Sequence, residues 1–133
     1  MRVVDASVVL GWLLREPLPE GHRRALADHV GGAEPAVAPE LLSYEVANVL
    51  ARGAGLGPEP ARAGHERFLA LEIETYSLSE RDYAAALELA LAHKITVYDA
   101  SYVALAQALG VRFATADRRL ADRIAALGVA EGV

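Results

Sequence analysis

Four acids in this chain, Asp5, Glu45, Asp99 and Asp117, are placed so that a fold could gather their oxygens. Asp5 directly follows the β-branched run at 2–4, Asp99 follows the short run 95–98, and Asp117 lies just past the run 111–115. In open α/β sheets, ligands sit outside the carboxyl ends of the strands. If these runs are parallel neighbouring strands, the three aspartates share one edge. Glu45 is placed by a different signal. In Leu42-Ser43-Tyr44-Glu45-Val46-Ala47-Asn48-Val49 it borders the helical stripe of Leu42, Val46 and Val49. Asp99 likewise shares a helix face with Tyr102, Val103 and Ala106. An ionised carboxylate beside a core is costly unless paired, so a metal ion or an arginine must supply positive charge. Oxygen donors without a Cys or His cluster suit a hard cation, Mg²⁺ or Mn²⁺. Such ions activate water and stabilise charge in phosphodiester hydrolysis. Taken singly, each aspartate also reads as a helix N-cap and Glu45 as a half-exposed helix residue. The set is more specific than its members. Asp28, Glu72, Asp82, Glu88 and Asp122 read as solvated faces or caps.

The elements that must position these acids alternate. Strand-like runs stand at 2–4, 36–38, 73–78, 95–98 and 111–115, with a last edge strand at 129–130. Helical patterns fill 6–14, 19–29, 39–52, 59–71, 79–93, 99–109 and 117–127. Pro39 is read as opening its helix, and Ser79 with Asp82 as a capping box. This order predicts an α/β fold with a parallel sheet covered on both faces. The Gly-rich stretch Gly53-Ala54-Gly55-Leu56-Gly57-Pro58 reads as a turn between helices, so residues 1–133 are expected to form a single domain.

Composition narrows the chemistry. The absence of cysteine excludes disulfides, thiolate nucleophiles and cysteine zinc sites. Lys94 is the only lysine and stands in no Gly-x-x-x-x-Gly-Lys sequence, which excludes a P-loop. No apolar run approaches a membrane span, and Asp5 falls where a signal peptide would be apolar, so a cytoplasmic protein is expected. The net charge of −5 argues against a broad basic nucleic-acid face and leaves room for a basic protein partner. Acids that hold divalent cations do not act as bare negative charge, however.

Val3-Val4-Asp5-Ala6-Ser7, Tyr44-Glu45-Val46-Ala47-Asn48, Tyr98-Asp99-Ala100-Ser101-Tyr102-Val103-Ala104-Leu105-Ala106 and Ala114-Thr115-Ala116-Asp117-Arg118-Arg119-Leu120 resemble the successive motifs of PIN-domain proteins. The likeness runs from Arg2 to about Val129, and no acid of the pattern is missing. It is nearest to the small VapC-type toxins of toxin–antitoxin pairs. The resemblance implies a three-layer α/β/α sandwich around a parallel sheet of about five strands, and a Mg²⁺- or Mn²⁺-dependent endoribonuclease. Asp5 and Asp99 match the direct metal ligands, and Glu45 and Asp117 the acids that complete the site, directly or through water. Ser7 and Thr115 match polar positions that support the acids; helix capping stands beside that role. The resemblance also implies a homodimer and a VapB-type antitoxin partner laid along the site groove, through which DNA is bound only indirectly. A PIN-domain nuclease of RNA processing, unpaired with any antitoxin, is the alternative.

Receiver-like phosphoacceptors and haloacid-dehalogenase-type hydrolases also place aspartates at strand ends. The second group wants Asp-x-Asp where this chain has Asp5-Ala6-Ser7. Both want a lysine after a late strand, whereas Lys94 precedes one. A non-enzymatic module with a structural acidic pocket is a further rival. Arg15, Arg118 and Arg119 are the candidate phosphate contacts by proximity in sequence. His22, His29, His65 and His93 have no ligand spacing and read as surface or helix residues. Trp12 and Leu13 read as core. Tyr44, Tyr98 and Tyr102 flank site acids, with packing favoured over base stacking.

Overall fold

The computed structural model describes all 133 residues. Val3 and Val4 are wholly buried because their strand, β1 (Arg2–Val4), lies in the middle of a five-stranded parallel sheet. The strand order is β3-β2-β1-β4-β5, with β2 at Ala36–Pro39, β3 at Glu74–Tyr76, β4 at Arg112–Thr115 and β5 at Ala130–Gly132. β1 pairs with β2 on one side (Val3 opposite Val37) and with β4 on the other (Val3 opposite Phe113). Central strands of parallel sheets are covered on both faces and read as continuous apolar runs, as β1 and β2 do here. Edge strand β3 carries the exposed Glu74 and Thr75.

Seven helices connect the strands: α1 (Ala6–Leu14), α2 (Glu20–Val30), α3 (Leu41–Asn48), α4 (Pro58–Ala70), α5 (Glu80–His93), α6 (Val97–Leu109) and α7 (Arg118–Arg123). Crossovers between parallel strands are right-handed. The helices between β1 and β3 therefore cover one face, and those after the chain doubles back to β4 cover the other. Contacts agree, since α1 packs on α2, α3 and α4, while α5 packs on α6. The result is an α/β/α sandwich. Helix α6 is buried at seven consecutive positions, 100–106, because it lies between the sheet and α5. No helix is long and apolar enough to cross a membrane.

Three sequence-based expectations change. Residues 95–98 are not a strand: Thr96 caps α6, its hydroxyl accepting the Asp99 N–H at 3.0 Å, and Val97 and Tyr98 are already helical. Pro39 ends β2 instead of opening a helix; α3 starts at Leu41 and widens into a π-helical turn, Val49–Gly53. The last helical stretch stops at Arg123, followed by a 3₁₀ turn, Ala125–Leu127. The Ser79–Asp82 capping box forms as expected.

Candidate active site

The strand order reverses at β1, whose neighbours β2 and β4 are reached by connections running in opposite directions. A crevice opens at such a switch point, outside the carboxyl ends of the strands. Asp5 leaves β1 there, and Thr115 and Asp117 leave β4. Asp5 is 7% exposed and serves as N-cap of α1. Its Oδ1 accepts the Ser7 hydroxyl at 2.5 Å and the Val8 N–H at 3.2 Å; its Oδ2 accepts the Thr115 hydroxyl at 2.5 Å.

Both hydroxyls are aimed by backbone donors. The Ala116 N–H donates to Ser7 Oγ at 2.9 Å, and the Asp117 N–H to Thr115 Oγ1 at 3.0 Å. With a lone pair of each hydroxyl so occupied, each O–H turns to Asp5. The start of α1 and the end of β4 are thereby stitched together around one carboxylate. Burial pushes the Asp5 pKa up, against the pull of the Ser7 and Thr115 hydrogen bonds.

Glu45 projects from α3 beside the buried Leu42 and Val46. Tyr102 of α6, itself buried, donates its phenolic hydrogen to Glu45 Oε1 at 2.5 Å. Burial raises the Glu45 pKa, the Tyr102 bond opposes the rise, and the charges of Asp99 and Asp5 add to it. Asp99 stands in the first turn of α6, and its pKa is raised by burial and by the charge of Asp117, with Thr96 opposing. Asp117 caps α7, its Oδ1 accepting the Leu120 N–H at 3.1 Å.

The charges of Asp5 and Asp99 thus bear on Glu45, and that of Asp117 on Asp99, which links acids from four separate segments. Asp5 and Asp117 serve as N-caps as well, so the two readings of those residues are not exclusive. The six ion pairs of the chain all lie elsewhere, and no arginine, lysine or histidine neutralises any of the four acids. Nor do three of the acids close into a tight ligand cluster. Asp99 and Asp117 line one cleft, and Glu45 lines a separate hollow beside Tyr98.

A PIN domain family model matches residues 2–127. The chain belongs to the PIN-domain family. This PIN domain is 38% identical over 132 residues to Ribonuclease VapC3 of Pyrobaculum aerophilum, covering 94% of this chain and 95% of that protein. It is 37% identical over 128 residues to Ribonuclease VapC9 of Mycobacterium tuberculosis, covering 92% and 90%. Its fold is similar to the crystal structure of PAE2754 from Pyrobaculum aerophilum, with a TM-score of 0.73 at 23% identity over 99% of this chain and 88% of that one.

Other sequence readings fare unevenly within the PIN domain. Of the three candidate arginines, only Arg119 lines a cleft with site acids; Lys94 and Arg123, not among those candidates, line it too. Tyr102 is packed, as expected, but Tyr44 is 78% and Tyr98 66% exposed, against the packing reading. His22 is a helix residue, in α2, but not a surface one: it is 1% exposed, pressed against Gly11 of α1. The signal for Tyr102 as partner of Glu45 lay in its position three after Asp99 on one helix face.

Proposed function

We propose that this PIN domain is a Mg²⁺- or Mn²⁺-dependent endoribonuclease and the toxin of a VapBC-type pair, with Asp5, Glu45, Asp99 and Asp117 as its catalytic acids. One observation supports the reading: the charges of Asp5 and Asp99 bear on Glu45 and that of Asp117 on Asp99, and none of the four acids is in an ion pair. Three have pKa values raised, first by burial. Raised carboxylate pKa values and an all-oxygen donor set fit a hard divalent ion, which removes that mutual repulsion.

A divalent ion bound there would neutralise phosphate charge and promote ionisation of the attacking water. The chain's residues do the rest. Ser7 and Thr115 lock the Asp5 carboxylate in orientation, both oxygens engaged by donors. Tyr102 keeps its proton, because burial and the Glu45 bond raise its pKa far above the usual phenol range, and it pins Glu45 Oε1. Asp99 of α6 and Asp117, the N-cap of α7, line one cleft together with Lys94, Arg119 and Arg123.

The names of the relatives, Ribonuclease VapC3 and Ribonuclease VapC9, support an RNA substrate and a VapB-type antitoxin partner. In this reading the antitoxin silences the toxin by offering a basic residue to the unpaired carboxylates. A homodimer is part of the same reading. The test is cleavage of RNA by the purified, partner-free protein with Mg²⁺ or Mn²⁺. EDTA, Asp5→Asn and Asp99→Asn should each abolish it. Equal cleavage by wild type and both variants would mean contamination and remove the support.

A further inference from the structure

Beside the acids, a cleft of about 260 Å³ separates the α5–α6 turn from α7. Lys94, Thr96 and Asp99 line one wall, and Asp117, Arg119 and Arg123 the other. Its walls are held together twice. The Arg123 guanidinium donates to the Lys94 carbonyl, and the His93 ring nitrogen Nδ1 meets the Arg123 carbonyl at 3.2 Å. Lys94 ends α5 in the left-handed conformation, φ 54°, which turns the chain into the cleft wall.

Lys94, Arg119 and Arg123 are exposed, and none lies within 4.0 Å of a carboxylate as an ion pair. In a chain with a net charge of −5, three unpaired cations around one small cleft stand out. They do not serve to neutralise Asp99 and Asp117. They remain available to an anion delivered from outside. The cleft touches only those two acids, while Asp5 and Glu45 lie beyond it. It is therefore offset from the centre of the acid group.

We infer that this cleft seats a backbone phosphate of the RNA adjoining the one to be cut, held by Lys94, Arg119 and Arg123. The inference rests on the nuclease reading for the identity of the strand. Arginine forks onto phosphate oxygens and lysine meets them as a point charge, so the set suits a phosphodiester without reading the base. A strand anchored there is drawn past Asp99 and Asp117 toward Asp5 and Glu45.

The test is binding of a fluorescent single-stranded RNA to Asp5→Asn protein, in which cleavage is removed but the cleft is intact. Lys94→Asn (asparagine tolerates the left-handed backbone) and Arg119→Gln are added to that protein. Each should weaken binding about fivefold, the weight of an exposed charge pair. Each should also lower the slope of log affinity against log salt by about 0.7. Arg119→Lys should retain most of the affinity, which separates lost charge from lost fold. Arg23→Gln, on the exposed face of α2, should change neither quantity. Unchanged affinity and slope in both cleft variants would overturn the assignment. A wild-type chain that binds RNA with this pattern yet never cuts it would leave the cleft standing and overturn the nuclease reading alone.

Discussion

Tyr102 and Glu45, 57 positions apart, are joined by a 2.5 Å hydrogen bond from the phenol to Oε1. The bond ties α6 to α3 and lowers a glutamate pKa that burial and two neighbouring acids raise. Tyr102→Phe should keep the ring packed on Phe113, 6.1 Å away between centroids, while removing the donor. Glu45 then loses its stabiliser and its pKa climbs further. The acid limb of the cleavage rate against pH should move to higher pH, with a stability loss of about 1 kcal/mol. An unmoved or lower acid limb would contradict the role given to Tyr102.

Thr115→Val tests the support of Asp5. The methyl fills the space of the hydroxyl but leaves Asp5 Oδ2 without its donor and Asp117 N–H without its acceptor. The Asp5 carboxylate is buried and the Asp117 N–H partly so, so denaturant melts should show a loss of about 1–3 kcal/mol. Activity should fall with it. Ser7→Ala should act in the same direction through Oδ1.

The pKa directions make a statement about stability. Asp5, Glu45 and Asp99 are all raised in the folded chain, so the native state binds their protons more tightly than the unfolded state does. Their contribution is fully present below the unfolded carboxylate pKa values and is lost as pH rises through the folded ones. At pH 7, without divalent ions, the acids therefore cost stability. Asp99→Asn should raise the melting temperature at pH 7 in EDTA, and the gain should vanish near pH 4, about where free aspartate titrates. A variant that melts below wild type at pH 7 would contradict this.

Gly11 is required by His22. A Cβ at Gly11 would stand 2.3 Å from His22 Cδ2 and 2.5 Å from Nε2, and the Trp12 indole already donates to the His22 carbonyl at 2.9 Å. Gly11→Ala must push α2 off α1, at a cost of about 1–3 kcal/mol by thermal or denaturant melting. A neutral outcome would mean the two helices are loosely fitted.

Much of this architecture could be read from residue types, for physical reasons. Asp5 and Asp117 follow runs such as Arg2-Val3-Val4 and Phe113-Ala114-Thr115, whose β-branched and apolar character marks buried parallel strands. Asp99 reaches the same edge by another route. Ile95-Thr96-Val97-Tyr98 has strand composition, yet Thr96 is an effective N-cap and the exposed Val97 and Tyr98 form the first turn of a helix that is buried all round only from Ala100 to Ala106. The β-branched and aromatic residues of that first turn read as strand, and the continuous burial that follows offers no helical period to correct the reading. Pro39 misled similarly: it closes β2 opposite Tyr76, past the residues that β2 pairs with β1, where a strand end tolerates proline. His22, Lys94 and Arg123 were not legible. Their placement depends on how α2 meets α1 and how α7 meets the α5–α6 turn, contacts that no local pattern encodes.

The central claim is that these four uncompensated carboxylates hold a divalent cation. Calorimetric titration of Mn²⁺ into the partner-free protein measures this without any RNA. The account predicts saturable binding in the wild type, weakened at least tenfold (about 1.4 kcal/mol) by Asp5→Asn and by Asp99→Asn and untouched by Asp28→Asn on the far side of the sheet's N-terminal edge. Equal Mn²⁺ affinity in wild type and both site variants, or no saturable binding at all, would contradict it.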